Sequence, residues 1–218
     1  MNGCIKYLIV GLVVTGVVPS SQAANIDVTW GANYSTCVSL ADGTTPVPLG
    51  NRVEVGTFTM GPTVGSPSLD NFVVFAEGAV GDGTGYAGSW EIESVYSEST
   101  IAHEQAYIVV FDNPAGVVGA GHQLGIYAMD MAYAANWMFP AGTDISSSTT
   151  IDLQDMVNDP GTPGATLKPG AEIIYGGGPV FETDGCTSFQ LQTIPEPTSI
   201  TLVGLGLLGA LGFARRRP

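Results

Sequence analysis

The chain is short of positive charge. Six Lys and Arg stand among 218 residues, and four of them, Lys6, Arg215, Arg216 and Arg217, sit near the ends. Between residues 24 and 194 only Arg52 and Lys168 are basic, against nineteen Asp and Glu. A body this acidic repels polyanions and anionic headgroups, which excludes nucleic acid as a partner. Charge of either sign is scarce at 12%, about half the usual share, so helices with charged outer faces are not expected. As a metal or catalytic pair Cys37 and Cys186 are poor candidates, since no His lies within a few positions of either. No internal period of 20–50 residues stands out, which argues against a solenoid.

Familiar catalytic patterns are missing too. His103-Glu104-Gln105-Ala106-Tyr107 starts like a zinc-protease helix, but Tyr107 stands where the second His must be. No GxSxG occurs, and Gly88-Ser89-Trp90 lacks the second glycine. Glu91 and Glu93 share one face of a predicted strand, as a glycosidase pair would, but alternation places both outside the core. His103 and His122 both fall near turns. The chain is therefore not expected to be an enzyme. Calcium is the one cofactor the acids suggest, as a loose ligand of Asp42 or Asp82 in Gly-rich loops. No EF-hand pattern is present, so neither a cofactor nor a metal site is expected.

What is present begins with the two ends. Lys6 precedes an apolar run over residues 7–18, Pro19 breaks it, and Ser21-Gln22-Ala23 offers small residues for cleavage. This is the layout of a secretory signal peptide over residues 1–23, cut after Ala23 or Ala24 by signal peptidase. Cys4 leaves with it. At the other end, Pro195-Glu196-Pro197 is followed by apolar or small residues over 200–214 and then by Arg215, Arg216 and Arg217. Fifteen residues make roughly 22 Å of helix, close to a membrane span once flanking residues are included. The arginines would stay on the cytoplasmic side. The GLGLLG run at 204–209 matches a dinucleotide fingerprint only by accident, since no strand precedes it.

The three-part tail over residues 194–218 resembles the PEP-CTERM sorting signal. The resemblance implies an exported protein of a Gram-negative bacterium that makes extracellular polysaccharide. It also implies recognition by exosortase, a membrane-embedded cysteine transpeptidase that acts near Pro195-Glu196-Pro197, and transient anchoring in the inner membrane facing the periplasm. The mature protein would then reside in the envelope or the biofilm matrix.

Residues 24–193 form the remaining domain, and its apolar stretches are short. Strands are predicted at 25–30, 52–60, 71–76, 89–96, 106–111, 123–129, 171–175 and 187–193, with a further short piece at 136–139. Between them lie DGTTP, GDGTG, DNPAG and DPGTPG, which are turn chemistry. One short helix is predicted at 151–157. The expected fold is all-β, an antiparallel sandwich or jelly-roll-like domain, with Trp90, Ile92, Ile108, Val110, Phe111 and Ile126 in its core. Cys37 and Cys186 form an even pair in an oxidising compartment and suggest a disulfide. The function expected is structural or interactive, with exopolysaccharide binding as the alternative. Trp30, Tyr34, Tyr86, Tyr133 and Trp137 are the aromatic candidates for that second role. Mass spectrometry of the mature chain from its host checks the addresses: ends near Ala24 and Pro195 are expected, with a deficit of about 2 Da from the cysteine pair.

Overall fold

The computed structural model describes residues 26–33, 35–96, 101–140, 147–181 and 185–196. The predicted signal helix, Ala23, Ala24, Tyr34, Pro197, the C-terminal apolar segment and Arg215, Arg216 and Arg217 lie outside the described residues.

The fold is all-β. Its strands are β1 (Ile26–Ala32), β2 (Thr36–Ser39), β3 (Arg52–Phe58), β4 (Phe72–Ala79), β5 (Trp90–Tyr96), β6 (Tyr107–Phe111) and β7 (Gln123–Met129). The second half adds β8 (Ser147–Asp152), β9 (Val157–Asn158), β10 (Thr166–Leu167), β11 (Ala171–Tyr175), β12 (Gly177–Phe181), β13 (Thr187–Gln190) and β14 (Gln192–Thr193). Six of these make one antiparallel sheet in the order β11-β7-β6-β3-β4, with β14 also on β7. β11 and β14 share one edge of β7 end to end: Ala171 pairs with Met129, and Thr193 pairs with Gln123.

Two three-stranded sheets accompany it, β5-β1-β8 and β12-β13-β2. Each contains one parallel pair, β1 with β8 and β2 with β13. These pairings join segments far apart in sequence, which hairpin turns cannot announce. The antiparallel expectation holds for the main sheet.

Alternation along the central strands feeds two cores. Val53, Val55, Ile108, Val110 and Tyr127 point into the larger one, where they meet Trp30, Trp90, Ile151 and Phe189 from the smaller sheets. Trp30 and Trp90 pack edge to face with centroids 6.4 Å apart. The opposite side chains, Phe58, Val109, Phe111, Leu124 and Ile126, form a second core with Tyr175 and Ile194. The β3–β4 connection crosses this outer face, held where Gly65 N donates to Ile174 O at 2.7 Å. A strand reading YIVVF, apolar on both sides, needs such cover on both faces. Of the predicted core residues, Trp90, Ile108, Val110, Phe111 and Ile126 are buried and Ile92 is half-buried against the larger core.

The predicted helix at 151–157 is corrected. β8 runs through Asp152, and a single 3-10 turn follows at Leu153–Met156, capped as Asp152 Oδ1 accepts from Gln154 N. The piece at 136–139 is another 3-10 turn, Ala135–Trp137, followed by an isolated bridge between Gln105 and Met138. β2 was not legible because it reads TCVS, yet all four residues are buried.

Arg52 holds the edge of the main sheet. Glu54 and Glu77 lie directly opposite each other on β3 and β4. Like charges so placed repel. The Arg52 guanidinium donates to Glu54 through Nε and to Glu77 through Nη2, which offsets their repulsion. Burial pushes the Glu54 carboxyl up, and Arg52 opposes it. A β-bulge follows at Val55/Gly56, where a side chain at 56 would run into the Val73 carbonyl, so glycine is required.

Cys37 on β2 and Cys186 beside β13 form a disulfide across 149 residues of sequence. A loop of that length gives chain-entropy stabilisation near the upper end of the usual range. Replacing both cysteines by Ala is expected to cost about 2–5 kcal/mol of unfolding free energy, measured by denaturant titration against the oxidised parent.

Candidate functional site

The place where the chain leaves the domain is built from the sheet outward. β14 pairs Gln192 with Leu124 and Thr193 with Gln123. Tyr175 Oη donates to Thr193 O at 2.9 Å. Ile194 extends the pairing: its N donates to His122 O at 2.8 Å, and Gly121 N donates to Ile194 O at 3.2 Å. Its side chain is buried in the second core. Pro195 then has no N–H to give, so the ladder stops. Pro195 and Glu196 are exposed. Thus the proline strip starts at the rim of the sheet, one residue after a core side chain, with no linker between.

The carboxylates weighed in the sequence as calcium ligands or an acid pair are not part of this exit. Asp42 accepts from Thr45 Oγ1 and from the Thr44 and Thr45 amides, and these bonds bring its carboxyl down to about 2. Asp82 Oδ2 accepts from Ala79 N at 2.8 Å. Glu91 and Glu93 are exposed on β5. The polar contacts of His122 go elsewhere, to Asp112 at 3.1 Å and Asn113 at 3.4 Å. His103 occupies a left-handed turn with φ 65°. Among the described residues no three His, Cys, Asp or Glu are grouped to hold a metal ion.

The aromatic candidates divide. Trp30 and Trp137 are fully buried and leave the surface set, a correction that follows from their places in the larger core. Tyr86 and Tyr133 are about three-fifths exposed, at 60% and 63%. Tyr86 borders a cleft of about 470 Å³ beside the disulfide, with Asn33, Pro46 and Ser89. Tyr133 borders another of about 450 Å³, with Met129, Asn136, Asp155 and Lys168. Its ring lies against Gly170, whose φ of +84° and missing side chain make the approach feasible. Asp155 Oδ2 accepts from Asn136 Nδ2 at 2.6 Å and from Trp137 Nε1 at 3.2 Å. Lys168 has no ion-pair partner among the described residues. Aromatic, amide, carboxylate and ammonium therefore face one hollow, a grouping invisible in sequence because 133, 155 and 168 are dispersed along the chain.

One buried acid is electrostatically unusual. Asp152 accepts from Gln154 N at 2.7 Å and Asn33 Nδ2 at 3.1 Å. Burial outweighs those bonds, with Asp155 and Glu91 adding repulsion, and the carboxyl rises to about 6.

Taken together, the described residues form a folded, acidic β-domain with Pro195 and Glu196 exposed at its rim. Residues 193–217 match the PEP-CTERM protein-sorting motif, so the matched stretch begins within β14. That motif is the handle of an exported protein passed to exosortase, held transiently in a membrane and then displayed at the cell surface. No curated protein and no solved structure matches the chain.

The Asp152 shift has a measurable sign. The folded carboxyl binds its proton more tightly than the unfolded one, so its contribution is complete at low pH and is lost as pH rises through about 6. Relative to the parent, Asp152→Asn is expected to gain about 1–2 kcal/mol between pH 4 and pH 7, read from thermal melts across that range. A constant offset at every pH would contradict the shift.

Proposed function

We propose that the mature protein is a non-enzymatic structural or interaction element of a Gram-negative cell envelope or extracellular matrix. Signal peptidase and exosortase are its processing partners, and the periplasmic face of the inner membrane is its waypoint. The observation that carries this reading is the exit geometry: Ile194 is locked into the core while Pro195 and Glu196 stand exposed at the rim. A domain presented this way is cargo with its handle exposed directly at the rim of the folded body. The use of Asp42, Asp82 and Arg52 in turns and strand edges supports a body without catalytic machinery.

A second reading, binding of a neutral or acidic exopolysaccharide, has one specific support. Sugars are held by an aromatic face beside planar hydrogen-bonding groups. Tyr133, Asn136, Asp155 and Lys168 supply those groups around one hollow.

One set of variants tests both. Replacing Pro195, Glu196 and Pro197 together by Ala is expected to leave the protein in the inner-membrane fraction with its tail attached, by fractionation and immunoblot. Normal release of that variant would overturn the sorting role. Glycan-array binding that Tyr133→Ala lowers by about 10-fold or more would favour the second reading, since losing an anchoring aromatic contact costs over 1 kcal/mol. Absence of glycan binding would leave the structural role.

A further inference from the structure

One end of the domain gathers exposed apolar side chains around the point where the chain departs. β6 and β7 are joined there by a loop whose residues 114–121 read PAGVVGAG, without a single charge. Val117 is 48% exposed and Val118 39%. The loop is pinned: Asn113 Oδ1 accepts from Val117 N at 2.9 Å, and Asn113 Nδ2 donates to Val117 O at 3.1 Å. Its far side bonds to the exit, through Gly121 N to Ile194 O and Ile194 N to His122 O. The adjoining β2–β3 connection carries the exposed Leu49, which lies over Gly81, and the hollow shared by Gly50 and Pro114 is lined by Arg52, Glu77 and Asp82.

The acids at this end are engaged or set apart. Asp112 is bonded to His122, Glu77 and Glu54 to Arg52, and Asp82 to the Ala79 amide. Glu196 lies on the strip itself. Val117 and Val118 are the exposed apolar side chains of that uncharged loop, on an otherwise strongly anionic body.

We propose that this end is a membrane-contact surface, seating Val117 and Val118 in the interfacial layer of the bilayer while the tail anchors the chain. The proposal rests on reading residues 198–217 as that anchor. Covalent geometry then limits the choice of occupant. The five residues 195–199 extend at most about 18 Å, so the β6–β7 loop cannot stray far from the bilayer. Exposed aliphatic tips on a pinned, uncharged loop partition into the interfacial region, and an acidic body favours a zwitterionic surface over an anionic one. The contact makes a second point of attachment beside the tether, so the proline strip is held at a set height for the membrane-embedded enzyme.

The mature chain, residues 24–218, in zwitterionic phosphatidylcholine vesicles tests this. It lacks Cys4, so an introduced cysteine is the only thiol outside the Cys37–Cys186 bond. A nitrobenzoxadiazole probe is placed at Val118→Cys or, as control, at Met131→Cys just past the opposite end of β7. Flotation is measured first, then quenching by nitroxide lipids labelled near the headgroup. The expected result is a floated chain whose probe at 118 shifts to the blue and is quenched at least about twofold more than the probe at 131. A floated chain with equal, water-like probes at both sites overturns the membrane contact and leaves the anchor standing. A chain that does not float overturns the anchor reading and this surface with it. Shielding of residue 118 that needs the processing enzyme in the vesicles, and is absent from pure lipid, also overturns the proposal and assigns the loop to a protein partner.

Discussion

A sheet buried on both faces must be closed on both faces, and in this domain the second closure depends on the last residue before the sorting strip. Ile194 fills the outer core beside Phe111, Leu124 and Tyr175. Its backbone is held by residues 121 and 122. Body and handle are therefore not modules joined by a spacer. The fold ends where the motif begins, and the proline at 195 marks the boundary by having no amide proton to continue the ladder.

Positive charge is sparse in the described residues. Both cations there have a defined setting. Arg52 lies between two cross-strand glutamates at the sheet edge, and Lys168 stands at the mouth of the Tyr133 cleft. The remaining acids are dispersed over the surface or spent on turn amides, as at Asp42. Such a surface keeps the domain soluble and discourages close approach between copies. The uncharged loop at 114–121 departs from that pattern, and it does so at the end from which the tail emerges.

Much of the main sheet could be read from the chain. The alternation in RVEVGTFTM became β3, and the two-sided apolar strand YIVVF became the buried centre. β2, β8 and β12 could not be read, because TCVS, SSTTID and GGPVF carry too few apolar residues at period 2 to mark a face. Tertiary partners decide them: β2 and β8 are each paired in parallel to strands more than a hundred residues away. The sorting tail was fully legible because it is a local pattern. The Tyr133 cleft was only half legible, since an exposed tyrosine can be guessed but its neighbours Asp155 and Lys168 arrive through the turn after β8 and the end of β10. Trp30 and Trp137 misled for the opposite reason: placement near strand ends suggested exposure, whereas large indoles are the cheapest way to fill a thick two-sheet core.

The parallel pairing of β2 with β13, together with the seating of β14 on β7, has a consequence for export. Crossing a translocation channel from the N-terminus, the early strand waits for almost the whole polypeptide before its neighbour arrives. The Cys37–Cys186 bond cannot close any sooner. The last strands to emerge are the ones directly before the proline strip, so the fold can close no earlier than the arrival of the strip itself.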